Sequence, residues 1–84
     1  MSDFTPGPWR IGAIESGMVA IDGANGEEVT GFVLPEDGRL IAAAPDLLEA
    51  LKALLERYVL AIGNEGIECL NARAAIARAT GEQP

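Results

Sequence analysis

Apolar residues recur at helical spacing over one long stretch of the chain, from Arg39 to Ile62. The gaps between them alternate between three and four residues, which places them on one face of an α-helix. The positions are Ile41, Ala44, Leu48, Leu51, Leu55, Tyr58 and Ile62. Pro45 lies inside this pattern and removes a backbone donor. We therefore expect a kink or short break near residues 43–44, with Pro45 in the first turn of the longer helix.

A second helix is predicted from about Ile67 to about Ala79, after the glycine-containing stretch 63–66. Its apolar face is expected to consist of Ile67, Leu70, Ala74 and Ala77, with Ile76 beside it. Alanines on such a face let two helices approach closely, so residues 39–80 are predicted to form an αα-hairpin.

Between residues 9 and 34 the apolar positions recur with period two, which predicts β-strands. The predicted strands are 9–14, 18–22 and 28–34. Glu15-Ser16-Gly17 suits a three-residue hairpin loop, and Asn25-Gly26 is a strong hairpin signal. Residues 1–8, with Pro6 and Pro8, are expected to form an irregular arm before the first strand.

These elements predict a single α+β domain over residues 1–84. A three-stranded antiparallel β-meander is followed by a kinked helix and an antiparallel second helix, both packed on the sheet, because an isolated small sheet is marginal in water. Pro35 to Gly38 is expected to break the third strand, and Asp37 or Gly38 to cap the first helix.

Composition argues against an enzyme and against a metal or cofactor site. The chain has 84 residues, no histidine and a single cysteine, Cys69, which we interpret as a small core residue. Histidine is the commonest general base at neutral pH, and no acidic residues are spaced as in a calcium loop. No segment is long enough for a membrane span and the N-terminus does not resemble a signal peptide, so we expect a cytoplasmic protein.

The net charge of −7 is placed mainly in the front half of the chain. Residues 1–38 contain seven acidic residues and one basic residue, a balance of −6. Such a surface repels nucleic acid and suits a basic protein partner. Glu27 and Glu28 are candidate interface residues, although acids placed here would also serve solubility alone.

Two further surfaces are candidates for binding. Trp9, Arg10 and Arg39 would together suit a small phosphorylated ligand, if Arg39 lies at a helix N-terminus that favours anions. The alternative is that Trp9 anchors the arm and both arginines pair with nearby acids.

The long helix also has more apolar residues than the predicted sheet and second helix can cover, which favours a homodimer over a monomer core. The residues expected at that dimer contact are Leu47, Leu54, Leu55, Tyr58 and Ile62.

Three segments resemble a large group of small phage and prophage proteins. They are the opening Thr5–Trp9 (T-P-G-P-W), the helical segment Arg39–Lys52 (R-L-I-A-A-A-P-D-L-L-E-A-L-K) and the tail Ala72–Glu82. They occur in the same order as in that group. Members commonly have an Asn-Ala pair before the arginine, where this chain has Asp37-Gly38.

The resemblance implies a phage or prophage protein that acts in the bacterial cytoplasm, and it brings no known reaction. Small phage accessory proteins often oppose host defences. The leading expectation is therefore a non-enzymatic protein that binds and modulates a host factor in counter-defence. One alternative is a sponge that sequesters a phosphorylated or cyclic-nucleotide signal. The other is a structural or assembly protein that acts as a dimer.

Overall fold

The computed structural model describes residues 4–63 and 66–81, which form two strands followed by two helices. The elements are β1 (Arg10–Glu15), β2 (Met18–Asp22), α1 (Pro35–Ile62) and α2 (Ile67–Thr80). Contacts divide the chain into a strand-containing unit, residues 5–47, and a helical unit that begins at Leu48, with α1 running through both. The α+β class agrees with the sequence prediction. Residues 1–3 of the predicted arm lie outside the described residues.

β1 and β2 form an antiparallel hairpin around a two-residue turn. Glu15 pairs with Met18, and the turn residues Ser16 and Gly17 both have positive φ, 52° and 77°. Two successive positive φ values are the signature of the type I′ turn, whose twist matches that of the flanking strands. The loop is one residue shorter than predicted because Glu15 belongs to the ladder. A register shift between Ile11 and Ala13 leaves Gly12 as an extra residue in β1.

The predicted third strand, residues 28–34, is wrong: the sheet of the described residues has two strands. Residues 28–33 follow the outer edge of β2 but pair with it in isolated bridges, Asp22 with Glu28 and Val19 with Val33, rather than in a regular ladder. Between these two bridges the chain advances three residues on β2, from Val19 to Asp22, but five on the outer segment, from Glu28 to Val33. The outer segment therefore has two extra residues, which must bulge out.

Thr30 is the physical reason for this interruption. Its hydroxyl accepts the Ile21 N–H at 3.3 Å, and the Ile21 carbonyl accepts both the Val29 and Thr30 N–H groups, at 2.8 and 3.2 Å. A side chain therefore takes the place of a backbone carbonyl, and two donors share one acceptor. The N–H and C=O groups of Ile21 on the outer edge of β2 therefore have hydrogen-bond partners without a regular ladder.

The core of the strand-containing unit lies between β2 and the first turns of α1. Ile21 is fully buried and Val19 is nearly so. Gly38 of α1 is buried against them, and a Cβ added at Gly38 would overlap the Cγ2 atom of Val19 and lie 3.7 Å from the Cδ1 atom of Ile21. Gly38 thus permits the close approach of the helix to the strand.

α1 begins at Pro35, four residues before the predicted start at Arg39, and the predicted cap at Asp37 or Gly38 is wrong. The N–H of Gly38 donates to the Leu34 carbonyl at 2.8 Å, so Gly38 is already inside the helix. Proline is favoured at the first helical position, and acids such as Glu36 suit the positive end of the helix dipole.

α1 also continues through Pro45, so the predicted break at residues 43–44 is absent. Pro45 is buried, and its Cβ lies 2.8 Å from the position that a Cβ on Gly7 would occupy. The proline ring therefore packs directly on the backbone of the arm. Apolar burial of the ring offsets part of the cost of the backbone hydrogen bond that proline cannot make.

In the helical unit, the buried face of α2 agrees with the predicted one only in part, at the half-buried Ile76 and Ala77. Cys69 is buried and Ala72 and Ile76 are half-buried, at gaps of three and four residues. The predicted core residues Ile67 and Leu70 are instead mostly exposed. Apolar residues occur all around α2, so their spacing does not define a single face. Within the described residues, no helix is both long enough and apolar enough to span a membrane.

Candidate functional site

The free edge of β1 is an exposed part of the strand-containing unit. All six residues of β1 are exposed, and Ile14 keeps 74 % of its surface accessible. Among the described residues, β1 has a neighbouring strand on one side only. An edge strand of this kind presents unpaired N–H and C=O groups to any extended segment that approaches it.

The pairing of β2 shows which groups of β1 point outward. Val19 donates its N–H to Val33 and accepts the Val33 N–H, at 2.8 and 2.7 Å. Both polar groups of Val19 are therefore directed away from β1. In an antiparallel ladder its partner, Ile14, must then occupy a non-hydrogen-bonded position, with its own N–H and C=O directed to the free edge.

One carboxylate lies on β1 and a second lies beside it. Glu15 ends the strand, and the Asp22 carboxylate reaches across from β2 to contact the space above Gly12. Residues 5–47 contain seven acidic and two basic residues, a balance of −5. Arg10 lies at the other end of β1, paired in register with Asp22, so the edge of β1 combines an exposed apolar side chain, free backbone groups and negative charge at its Glu15 end.

The predicted interface residues Glu27 and Glu28 lie on the opposite side of the hairpin. Glu28 bridges Asp22 at the outer edge of β2. Glu27 has a local role, since its carboxylate accepts the Asn25 N–H at 2.9 Å and its carbonyl accepts the Gly23 N–H at 2.7 Å. These bonds close the turn that contains Gly26, whose φ is 84°.

The pKa of Glu27 should lie below its ordinary value of 4.5. The first cause is a hydrogen bond from its own backbone N–H, and the second is the N–H of Asn25. Both favour the charged form. Because the folded-state pKa is lowered, the stability contribution is present above the unfolded-state pKa and is lost as the pH falls through the folded-state pKa.

Glu27→Gln should remove that contribution. The stability difference between wild type and Glu27→Gln should therefore shrink on acidification. An NMR titration of the side-chain carboxyl carbon measures the pKa directly, and urea unfolding at two pH values measures the linkage. A Glu27 carboxyl that titrates at or above 4.5 would contradict this account of the turn.

The three residues predicted for a phosphorylated ligand lie on three different segments, the arm, β1 and α1. The Trp9 indole N–H donates to the Thr5 carbonyl at 2.9 Å, which folds the ring onto the arm. Arg10 is exposed on β1, and Arg39 is exposed on α1. Arg39 lies beyond the first helical turn, where the N–H groups that favour anions are already bonded within the helix.

The helical unit contains two clefts, each lined by both helices. One, of about 410 Å³, contains three charged residues, Lys52, Glu56 and Arg73. The other, of about 390 Å³, contains one, Glu68. We call the second cleft the α1–α2 groove. Its other lining residues are Leu51, Leu54, Leu55, Tyr58, Cys69 and Ala72.

The α1–α2 groove contains three of the five residues predicted for a helical contact, Leu54, Leu55 and Tyr58. Ile62 is exposed near the end of α1, and Leu47 is exposed at the end of the strand-containing unit. On the α2 side, Cys69 is buried, as expected of a small core residue, whereas Ala72 lies outside the face that the spacing predicted. In the described ranges 4–63 and 66–81, no three acidic, cysteine or histidine residues are placed to hold a metal ion.

Comparison of the sequence with known protein families identifies a matching family. The family of the Salmonella phage P22 protein Y8K6 matches residues 1–83. The chain belongs to this family. Membership in the P22 Y8K6 family makes it a small phage protein, as the resemblance of its opening, central and tail segments implied. No curated protein and no solved structure matches the chain.

Proposed function

We propose that the chain is a non-enzymatic phage accessory protein that binds and modulates a bacterial host protein in counter-defence. The observation that supports binding is the free edge of β1, where Ile14 is exposed and its N–H and C=O groups point away from the ladder. The family supports a phage setting. The absence of histidine from the sequence favours binding over catalysis.

The proposed mode is addition of a strand from the partner to the edge of β1. In this mode, backbone hydrogen bonds provide affinity and alternate side chains provide specificity. The outer edge of β2 cannot serve in the same way, because Val33 and Thr30 already occupy its donors. The side chain of Ile14 would supply an apolar contact beside its own outward-pointing N–H and C=O groups.

Charge specifies the kind of segment that fits. Glu15 places a carboxylate on β1 and Asp22 places one beside it, and the unit that contains them has a balance of −5. An extended segment with lysine or arginine opposite Glu15 would meet favourable potential at that end of the strand, whereas Arg10 lies at the other end. Such steering chiefly raises the association rate and weakens with added salt.

Ile14→Pro is the sharpest test, because it removes the outward N–H without touching a ladder hydrogen bond. Proline is tolerated on an edge strand when its missing N–H would face solvent. The immobilised wild-type chain would capture partners from a bacterial host lysate, and calorimetry with the purified partner would measure affinity. Loss of one of the two backbone hydrogen bonds at this position should weaken binding by about tenfold.

Matched variants separate the backbone contact from other effects. Ile14→Thr keeps the N–H and should retain more affinity than Ile14→Pro, while Glu15→Lys should weaken binding in a salt-dependent manner. Glu28→Lys, on the opposite side of the hairpin, should have little effect. A partner captured equally by wild type and Ile14→Pro would rule out the strand-addition mode. If Glu28→Lys lost that partner and the variants of β1 kept it, the partner would bind at the outer edge of β2 instead.

A further inference from the structure

We infer that the α1–α2 groove is the contact surface for a second copy of this chain. The helical unit has a small core of its own: of its described residues, Leu48 and Cys69 are buried. A layer of two helices must bury its apolar stripe against another layer to be stable. Large apolar side chains nevertheless remain exposed on both of its helices. They are Leu54, Tyr58, Leu60, Ile62, Ile67 and Leu70.

Charge favours a copy of the same unit as the occupant. Residues 48–84 contain five acidic and four basic residues, a balance of −1, whereas residues 5–47 have a balance of −5. Two helical units can therefore approach each other without strong repulsion, while two strand-containing units would repel. A strongly acidic or basic partner would find little complementary charge in the α1–α2 groove, where Glu68 is the single charged lining residue.

The shape of this surface is suited to self-association. Leu54 and Tyr58 are exposed and form a ridge along α1, at a gap of four residues. Beside that ridge, the small residues Cys69 and Ala72 of α2 line the groove. A two-fold axis brings each ridge onto the groove of the other protomer, because both protomers present the same patch. The product is a four-helix arrangement with an apolar centre.

The other cleft fits a second copy less well. Lys52, Glu56 and Arg73 line it, and burying these charges would require new partners for each of them. Leu60, 77 % exposed, also lines that cleft. It therefore provides a matched control on the same helix for Leu54, which is 68 % exposed.

Light scattering after gel filtration measures the mass of each variant at the same protein concentration. Wild type should have twice the 8.8 kDa mass of the chain, and Leu54→Glu should have the single-chain mass. Leu60→Glu should remain at the double mass. Because both leucines are exposed, neither substitution should disturb the fold of one protomer, which circular dichroism checks.

A second variant protects the test against misfolding. Ala72→Leu fills the groove with an apolar side chain and should also give the single-chain mass with helix content retained. A wild type of single-chain mass, or equal effects of Leu54→Glu and Leu60→Glu, would overturn the inference. The host-partner proposal is tested independently of the dimer. Leu54→Glu should still capture a host protein through β1, even though it no longer dimerises.

Discussion

Ile21→Ala should lower the free energy of unfolding by about 2–5 kcal/mol, the range for truncating a buried isoleucine. Ile21 is completely inaccessible, and the first turns of α1 pack on it through Gly38. The loss combines the transfer free energy of the deleted methyl groups with a residual cavity. For a chain of this length, each kcal/mol shifts the melting temperature by roughly 4–8 °C.

Ile14→Ala is the matched control for that prediction. It removes the same atoms from the adjacent strand of the same hairpin, but Ile14 is 74 % exposed. Surface substitutions of this kind usually change stability by less than about 0.5 kcal/mol. Urea unfolding of both variants, at one protein concentration so that self-association contributes equally, gives the comparison. Equal losses for the two variants would mean that β2 does not form the core described.

Gly38→Ala should also destabilise the protein, although alanine is the better helix former by about 1 kcal/mol. The added methyl group would overlap the Cγ2 atom of Val19 and would lie 3.6 Å from the Cγ2 atom of Val33. Overpacking a tight core typically costs about 1–3 kcal/mol, which outweighs the gain in helix propensity. The melting temperature should therefore fall rather than rise.

A double-mutant cycle tests the cause of that effect. Val19→Ala alone should destabilise by leaving a cavity, but in the Gly38→Ala background it provides room for the new methyl group. The coupling free energy should be favourable and within the range of about 0.5–3 kcal/mol seen for residues in contact. Strict additivity of the two substitutions would show that Gly38 and Val19 are not in contact.

The long helix was the part of the fold that the sequence predicted best, because residues 41–62 keep one apolar face at helical spacing. Its start was not predictable in the same way. Pro35 and Gly38 read as strand-breaking residues, yet proline suits the first helical turn and Gly38 suits a close contact. That contact is with a strand distant in sequence, so local propensity carries no signal for it.

The third strand illustrates a different limit. Residues 28–34 alternate correctly for a strand, but a ladder also needs a backbone partner at each step. The Thr30 hydroxyl takes the Ile21 N–H, and threonine occurs as readily in strands as in such side-chain contacts. The sequence also did not predict that β1 has a free edge. Whether a strand lies at the edge or in the centre of a sheet depends on the other strands, not on its own residues.

For the candidate surfaces, the sequence identified the α1 side of the α1–α2 groove, and on the α2 side it indicated only that Cys69 belongs to a core. Leu54, Leu55 and Tyr58 follow the periodicity of a strongly patterned helix. Cys69 and Ala72 belong to a helix whose apolar residues occur on all sides, so its inward face depends on α1 rather than on its own pattern.

The closed outer edge of β2 has a consequence for how copies of the chain can meet. Open-ended fibres need two available edges on every protomer, so that each copy receives one neighbour and offers a second. Here Val33 and Thr30 occupy one edge, so within residues 4–63 and 66–81 the remaining free edge is that of β1. Sheet extension between copies would therefore end at a pair, and the exposed strand can remain available to a partner without seeding a polymer.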